Sequence, residues 1–261
     1  MTDSLTVIAT ILPAGEGSCL RTRILETVLA LLYDIHGNRD ALDAALADAA
    51  DAGATGYLLG GDYCLMGARP AAVLERLREL PAATIWLRGN TERWVAHPDA
   101  DDIPSPALRD ACIFVRESLG HADTPELAAL PDTLAGVPAP GAESIVFCHA
   151  SPGSDMIGFS DAPAGSDGAA ADSGFEVNTI VCGHTHVQFR REVGVVEVVN
   201  PGSVGLPFDG DRRAAYGLLG ADGSIELRRV AYDVGAAIRR YDGLPGDWVK
   251  IAKRRLREAR A

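Results

Sequence analysis

Three apolar runs near the start of the chain each end in a residue able to hold a metal ion, and these ends are evenly spaced. Val28–Tyr33 runs into Asp34-Ile-His36-Gly-Asn38, Tyr57–Leu59 into Gly60-Gly61-Asp62, and Ala83–Leu87 into Gly89-Asn90. Asp34 to Asp62 is 28 residues, and Asp62 to Asn90 is 28 again, close to the roughly 30 of a strand–helix–strand unit. Between the runs lie helical patterns. Ala41, Leu42, Ala45, Leu46 and Ala49 form one apolar stripe behind a capping Asn38, and Val73, Leu74, Leu77 and Leu80 form another behind Pro70. Continuous apolar runs suit strands buried on both faces, so the rhythm predicts an α/β chain with successive strand ends side by side.

Further helices are predicted at Pro106–Leu119, stopped by Gly120, and at Pro125–Leu130 behind Thr124. Strands Ser144–Phe147 and Thr179–Val181 then lead into His149 and His184. Residues 151–178, rich in Gly, Ser, Ala and Asp, read as a mobile loop near the site or a surface insertion without a role. Beyond His186, runs at Val187–Glu192, Val195–Val199, Ala214–Leu219 and Ile225–Val230 predict a second, largely antiparallel sheet. Helices from Val234 and Trp248 close the chain, and Lys250, Lys253, Arg254, Arg255 and Arg257 read as a solvated face rather than a nucleic-acid patch. No repeat or sharp change of composition divides residues 26–261, which read as one domain behind an extension, 1–25, of uncertain structure. The Gly15-Glu-Gly-Ser18 cluster there lacks the lysine of a phosphate-cradling loop.

Charge excludes some functions. With 36 acidic and 24 basic residues the net charge is −12, which repels phosphate backbones, so no stable nucleic-acid complex is expected and phosphate chemistry would need metal ions. Cys19, Cys64, Cys112, Cys148 and Cys182 are odd in number and form no Cys-x-x-Cys pair; this argues against a disulfide framework and fits a reducing cytoplasm. Leu5–Leu12 follows Asp3 and is too short for a membrane anchor or export signal. No sequence feature sets an oligomeric state.

The strand-end residues Asp34, His36, Asp62, Asn90, His149, His184 and His186 include four of the six histidines. These oxygen and imidazole donors suit Mn²⁺, Fe, Zn²⁺ or Co²⁺. Singly, a strand-end Asp is usually a cap and a lone His a satisfied core group; seven in this order are not readily explained that way. Asp-x-His, Gly-Asp, Gly-Asn, a lone His and Gly-His-x-His, in sequence, resemble the calcineurin-like metallophosphoesterase family over roughly residues 28 to 235. Asn200-Pro-Gly-Ser-Val-Gly205 looks like that family's closing segment. The bacterial small-phosphodiesterase branch is nearest, including members similar to dinucleoside tetraphosphate hydrolases, which share a Tyr-Asp-Val like Tyr232-Asp-Val234.

The resemblance implies a four-layer α/β/β/α sandwich of two mixed sheets, and a site for two divalent cations, Mn²⁺ foremost. It gives Asp62 the bridge, places Asp34, His36 and His186 on one metal and Asn90, His149 and His184 on the other, and makes Asp62, Asn90 and His149 the catalytic centre. Such cations lie about 3.5–4 Å apart, and a water between them, deprotonated near pH 7, is the expected nucleophile. Two divalent ions on two carboxylates leave a local charge of about +2, enough to hold a phosphate inside an acidic protein.

The implied activity is hydrolysis of phosphodiester or phosphoanhydride bonds in a small, nucleotide-like substrate. A noncatalytic metal-binding scaffold and a phosphoprotein phosphatase are the alternatives, because the family's Gly-Asn-His-Asp/Glu reads Gly89-Asn90-Thr91-Glu92 here. Thr91 cannot replace an imidazole acid, whose help is worth roughly 10²–10⁴ in rate. Glu92 reads as a solvated carboxylate held by Arg93, His97 and His121 as surface histidines, and Cys64 and Cys148 as packing residues. Residues 151–178 and Asp209-Gly-Asp-Arg-Arg213 are expected to influence substrate choice.

Overall fold

A computed structural model describes residues 28–120, 123–139, 142–165, 167–171 and 177–261. The expectations placed on residues 1–25, Cys19 and His121 lie outside the described residues. The first sheet is built as the spacing predicts. Strands β1 (Val28–Leu32), β2 (Ala54–Leu59) and β3 (Ile85–Trp86) lie parallel in that order, joined by helices α1 (Arg39–Asp51) and α2 (Pro70–Arg78). Asn38 caps α1 by accepting from the Ala41 amide at 3.1 Å, and Pro70 occupies the first turn of α2. Three further helices follow: α3 (Asn90–Ala96), α4 (Pro106–Leu119) and α5 (Asp123–Ala128).

The second half forms β4 (Thr133–Ala139), β5 (Ala142–Cys148), a short α6 (Asp167–Ala171), β6 (Thr179–Val181), β7 (Phe189–Val193), β8 (Val196–Asn200), β9 (Ala214–Leu219), β10 (Ile225–Val230), α7 (Val234–Arg239) and α8 (Asp247–Glu258). One sheet has the order β10-β9-β1-β2-β3 and the other β4-β5-β6-β8-β7. The last four strands, whose alternation predicts a sheet of their own, are instead divided between the two. β7 and β8 join β6, with β8 parallel to it, whereas β9 returns to pair antiparallel with β1. Both sheets are mixed, and the chain after His186 serves both.

Alternate residues of β1 explain the layering, since successive side chains point to opposite faces. Leu29, Leu31 and Tyr33 meet Phe147, Val181 and Val199 of the second sheet in a shared inner core. Ala30 and Leu32 face the other way, into a larger cluster with Leu42, Leu46, Leu74, Val115 and Trp248 from the helices. The outer face of the second sheet, through Val146, Cys148, Ile180 and Val198, is covered by Phe159 and Ala170 of the 151–171 stretch. Each fully buried aliphatic side chain contributes about 1.5–3 kcal/mol, so both sheets are held firmly behind the loops at their strand ends. No helix among the described residues is long and apolar enough to cross a membrane.

Candidate metal centre

The loops leaving β1 and β2 are laced together by their backbones. The Asp34 amide donates to Gly61 O at 3.2 Å, His36 to Asp62 O at 2.9 Å and Gly37 to Tyr63 O at 2.8 Å. Asp34, His36, Asp62, His184 and His186 all have left-handed backbones, with φ between 47° and 67°. That conformation costs a non-glycine residue on the order of 1–2 kcal/mol and concentrates at functional sites. Gly89 allows a close approach: a Cβ there would lie 2.1 Å from Asp62 Oδ1 and 2.7 Å from His149 Cε1.

Asp34, His36, Asp62 and His186 offer ligand atoms that all lie within 4.8 Å of one another, and all four residues are buried. His36 Nδ1 faces Leu65 O at 2.7 Å and His186 Nδ1 faces Leu206 O at 2.6 Å. Each Nδ1 is thus placed to donate, and in the neutral ring that leaves Nε2 as the acceptor. These Nε2 atoms are 3.0 Å apart, with His186 Nε2 3.4 Å from Asp34 Oδ1 and His36 Nε2 3.5 Å from Asp62 Oδ2. Asp34 Oδ1 is buried with no hydrogen-bond partner. Polar atoms converging in this way can hold a cation, and the donor set fits one.

A second set forms on the other oxygen of Asp62. His149 Nδ1 faces Gly60 O at 2.9 Å, and its Nε2 lies 3.1 Å from Asn90 Oδ1 and 3.5 Å from Asp62 Oδ1. His184 Nδ1 lies 3.1 Å from the same Asn90 oxygen. The fold thus gathers all seven residues named from the sequence, with Asp62 between two groups of ligand atoms.

Burial and neighbouring charge set the protonation states of these side chains. Burial, then His186, pushes His36 down to about 3, and burial, then His149, pushes His184 down to about 4; both are neutral at pH 7, as ligands must be. Burial would raise Asp34, but His186, His149 and His36 outweigh it and hold the carboxyl below its usual range. Burial raises Asp62, with Glu92 and Asp34 adding to it against His149. Burial would lower His149, yet Asp62, Asp34, Gly60 O and Glu92 together raise it. Mn²⁺ binding at pH 6 is therefore expected to release protons from Asp62 and His149 and not from His36 or His184. Calorimetric titration in two buffers of different ionisation enthalpy measures this, and binding without release would take the metal away from Asp62 and His149.

Glu92 corrects a sequence expectation. It is buried, and it accepts from the amides of Asp62 at 2.8 Å, Tyr63 at 2.9 Å and Gly89 at 2.7 Å. Arg93 turns instead to Asp155 and Asp102. Thr91 is also buried, and its amide donates to Asp62 Oδ1 at 3.1 Å. His97 is exposed, and Cys64 and Cys148 are buried free thiols. Asp209 is held by Arg229 and by the Gln188 amide. Sequence reasoning missed Ser203 and Phe208. Ser203 Oγ donates to Asp34 O at 2.6 Å, and the Phe208 ring stacks 4.3 Å from His186, with the Arg255 guanidinium 5.3 Å from its own centre. Only the Asn200-Pro-Gly-Ser203 motif signalled that segment.

The calcineurin-like phosphoesterase superfamily domain matches residues 28–223. The chain belongs to this superfamily. As a calcineurin-like phosphoesterase it is a hydrolase, with a buried Asp and His cluster that can hold metal. The uncharacterized protein MJ0912 of Methanocaldococcus jannaschii is 26% identical over 259 residues, spanning 90% of this chain and 96% of that protein. A metallophosphoesterase from Sphaerobacter thermophilus has a similar structure, with a TM-score of 0.71 and 24% identity over 90% of this chain and 99% of that one. Hypothetical protein PH1004 from Pyrococcus horikoshii OT3 aligns with a TM-score of 0.72 and 24% identity over 86% and 97% of the two chains. These two likenesses establish the fold.

Proposed function

We propose that the protein is a two-metal phosphodiesterase of the small bacterial type, acting on phosphodiester or phosphoanhydride bonds of small, nucleotide-like substrates. The observation that carries this reading is the pair of acceptor sets meeting on opposite oxygens of Asp62. Asp34, His36 and His186 would hold one divalent cation, Asn90, His149 and His184 the other, and Asp62 both, with Mn²⁺ the first choice for this donor set. The two ions would place positive charge on the phosphoryl oxygens and lower the pKa of an attacking water.

The chain itself orients those ligands. Leu65 O, Leu206 O and Gly60 O fix three imidazoles in one tautomer, and the Thr91 amide steadies the Asp62 carboxylate. Thr91 brings no acid to a departing oxygen, so substrates with good leaving groups are favoured. A cytoplasmic location belongs to the same proposal and is supported by four buried free thiols.

The test is hydrolysis of bis-p-nitrophenyl phosphate by metal-depleted protein with and without Mn²⁺. Turnover that depends on Mn²⁺ is expected, and none with two metals bound overturns the proposal. Thr91→His should then raise turnover of methyl phenyl phosphate by up to about 10²-fold and of methyl p-nitrophenyl phosphate far less. An equal effect on both would mean that Thr91 does not mark a missing acid.

A further inference from the structure

Beside His184 the chain forms a short strap that the proposed chemistry does not use. Ser151 and Ser154 exchange backbone hydrogen bonds at 3.1 and 3.0 Å. Asp155 then receives Arg88 Nη1 at 2.6 Å, Arg93 Nε at 3.0 Å and Arg93 Nη2 at 3.1 Å. Arg88 directly precedes Gly89 and Arg93 follows Glu92, so this clasp ties the strap to the turn that carries Asn90. Phe159, fully buried under the second sheet, pins the far end.

Between the two anchors the strap runs against the site. A Cβ on Gly158 would lie 3.3 Å from His184 Cδ2 and 3.5 Å from Thr185 Cγ2. The residues just before it, Met156 and Ile157, are exposed, at 37% and 57%. Their backbones are fixed by Ser154 Oγ, which accepts from the Met156 amide at 3.2 Å and the Ile157 amide at 3.0 Å. Scattered apolar residues on a surface need no explanation. Two in succession, on a strap clasped by two arginines and leading into the glycine beside one of the seven candidate ligands, offer exposed apolar surface within one or two residues of the centre's edge.

We infer that Met156 and Ile157 receive the aromatic organic group of the substrate while its phosphoryl group occupies the metal centre. This rests on the phosphodiesterase reading and narrows it to substrates with an aryl ring or a base close to the phosphorus. A flexible thioether and a branched aliphatic chain accommodate an aromatic face without demanding one ring chemistry, and they leave an alkyl or bare phosphate with nothing to bury.

Phenylphosphonate and methylphosphonate, which are not hydrolysed, separate the two readings by titration calorimetry on Mn²⁺-loaded protein. Wild type is expected to bind the phenyl compound about tenfold more tightly, as burial of one ring against two side chains provides. The double variant Met156→Ser, Ile157→Ser should bind methylphosphonate within about twofold of wild type and lose the preference for phenyl. A preference that survives the double variant, or is missing from wild type, overturns the inference. If wild type binds neither phosphonate, the phosphodiesterase reading itself fails.

Discussion

Asp62→Asn is expected to remove both cations together and to lower turnover at least about 10³-fold, the upper end for loss of a single stabilising group. The two carboxylate oxygens face different ligand sets, Oδ2 toward His36 and Oδ1 toward His149, each at 3.5 Å. An amide keeps the size of the side chain but presents one oxygen, and its NH₂ would direct protons at a space already lined by a bare imidazole nitrogen. The metal-free variant should nevertheless be as stable as wild type, or more so. Burial raises Asp62, so without metal a neutral side chain relieves that penalty. With free Mn²⁺ at a hundred times its Kd, wild type gains about 2.7 kcal/mol for each ion bound, and the variant should gain far less. Metal analysis, turnover and thermal unfolding with and without Mn²⁺ decide the matter. One ion retained at wild-type affinity would remove Asp62 from its place between the sets.

Glu92→Ala should be the most destabilising single substitution near the centre, at about 3–5 kcal/mol. The carboxylate closes three buried amides, those of Asp62, Tyr63 and Gly89, and alanine leaves all three without a partner. Those amides belong to the turns after β2 and β3, so the damage extends to function. The left-handed Asp62 loses the partner of its amide, and metal affinity should fall about 10- to 100-fold, as when an outer support of a ligand is removed. Glu92→Gln keeps one acceptor and should lie between alanine and wild type. Urea titration measures the first effect and Mn²⁺ titration the second. A loss below about 1 kcal/mol for alanine would mean that water satisfies these amides.

The candidate ligands were legible because each sits where a strand ends, and apolar runs announce strands. The equal spacing of Asp34, Asp62 and Asn90 reflects one strand, one turn and one helix per unit, a local regularity that the linear order preserves. Strands β6, β9 and β10 follow the same local logic, whereas β4 and α3 escaped it. β4 carries Gly136 and Pro138 within its seven residues, and α3 opens on the metal-centre turn itself, where Gly89 caps a helix that begins at Asn90. The sharing of β7 to β10 between two sheets was not legible either, because alternation in a strand tells which face is buried and not which neighbour buries it.

The role of Glu92 shows the same limit from the side of charge. Next to Arg93 in the chain it reads as one half of an exposed pair, yet the two side chains diverge, one into three amides and the other toward Asp155. Asp155, Ser203 and Phe208 likewise gain their places only when distant segments meet. The sequence by itself determined the kinds of ligand atom, their order and the parallel sheet that aligns the first three strand ends, since these follow from side-chain chemistry and local periodicity. The tertiary structure alone decided how two acceptor sets come to share Asp62, and what holds the strained turns around it. Those contacts join residues up to 169 positions apart, and no local pattern encodes which distant partner a buried amide or lone pair will find.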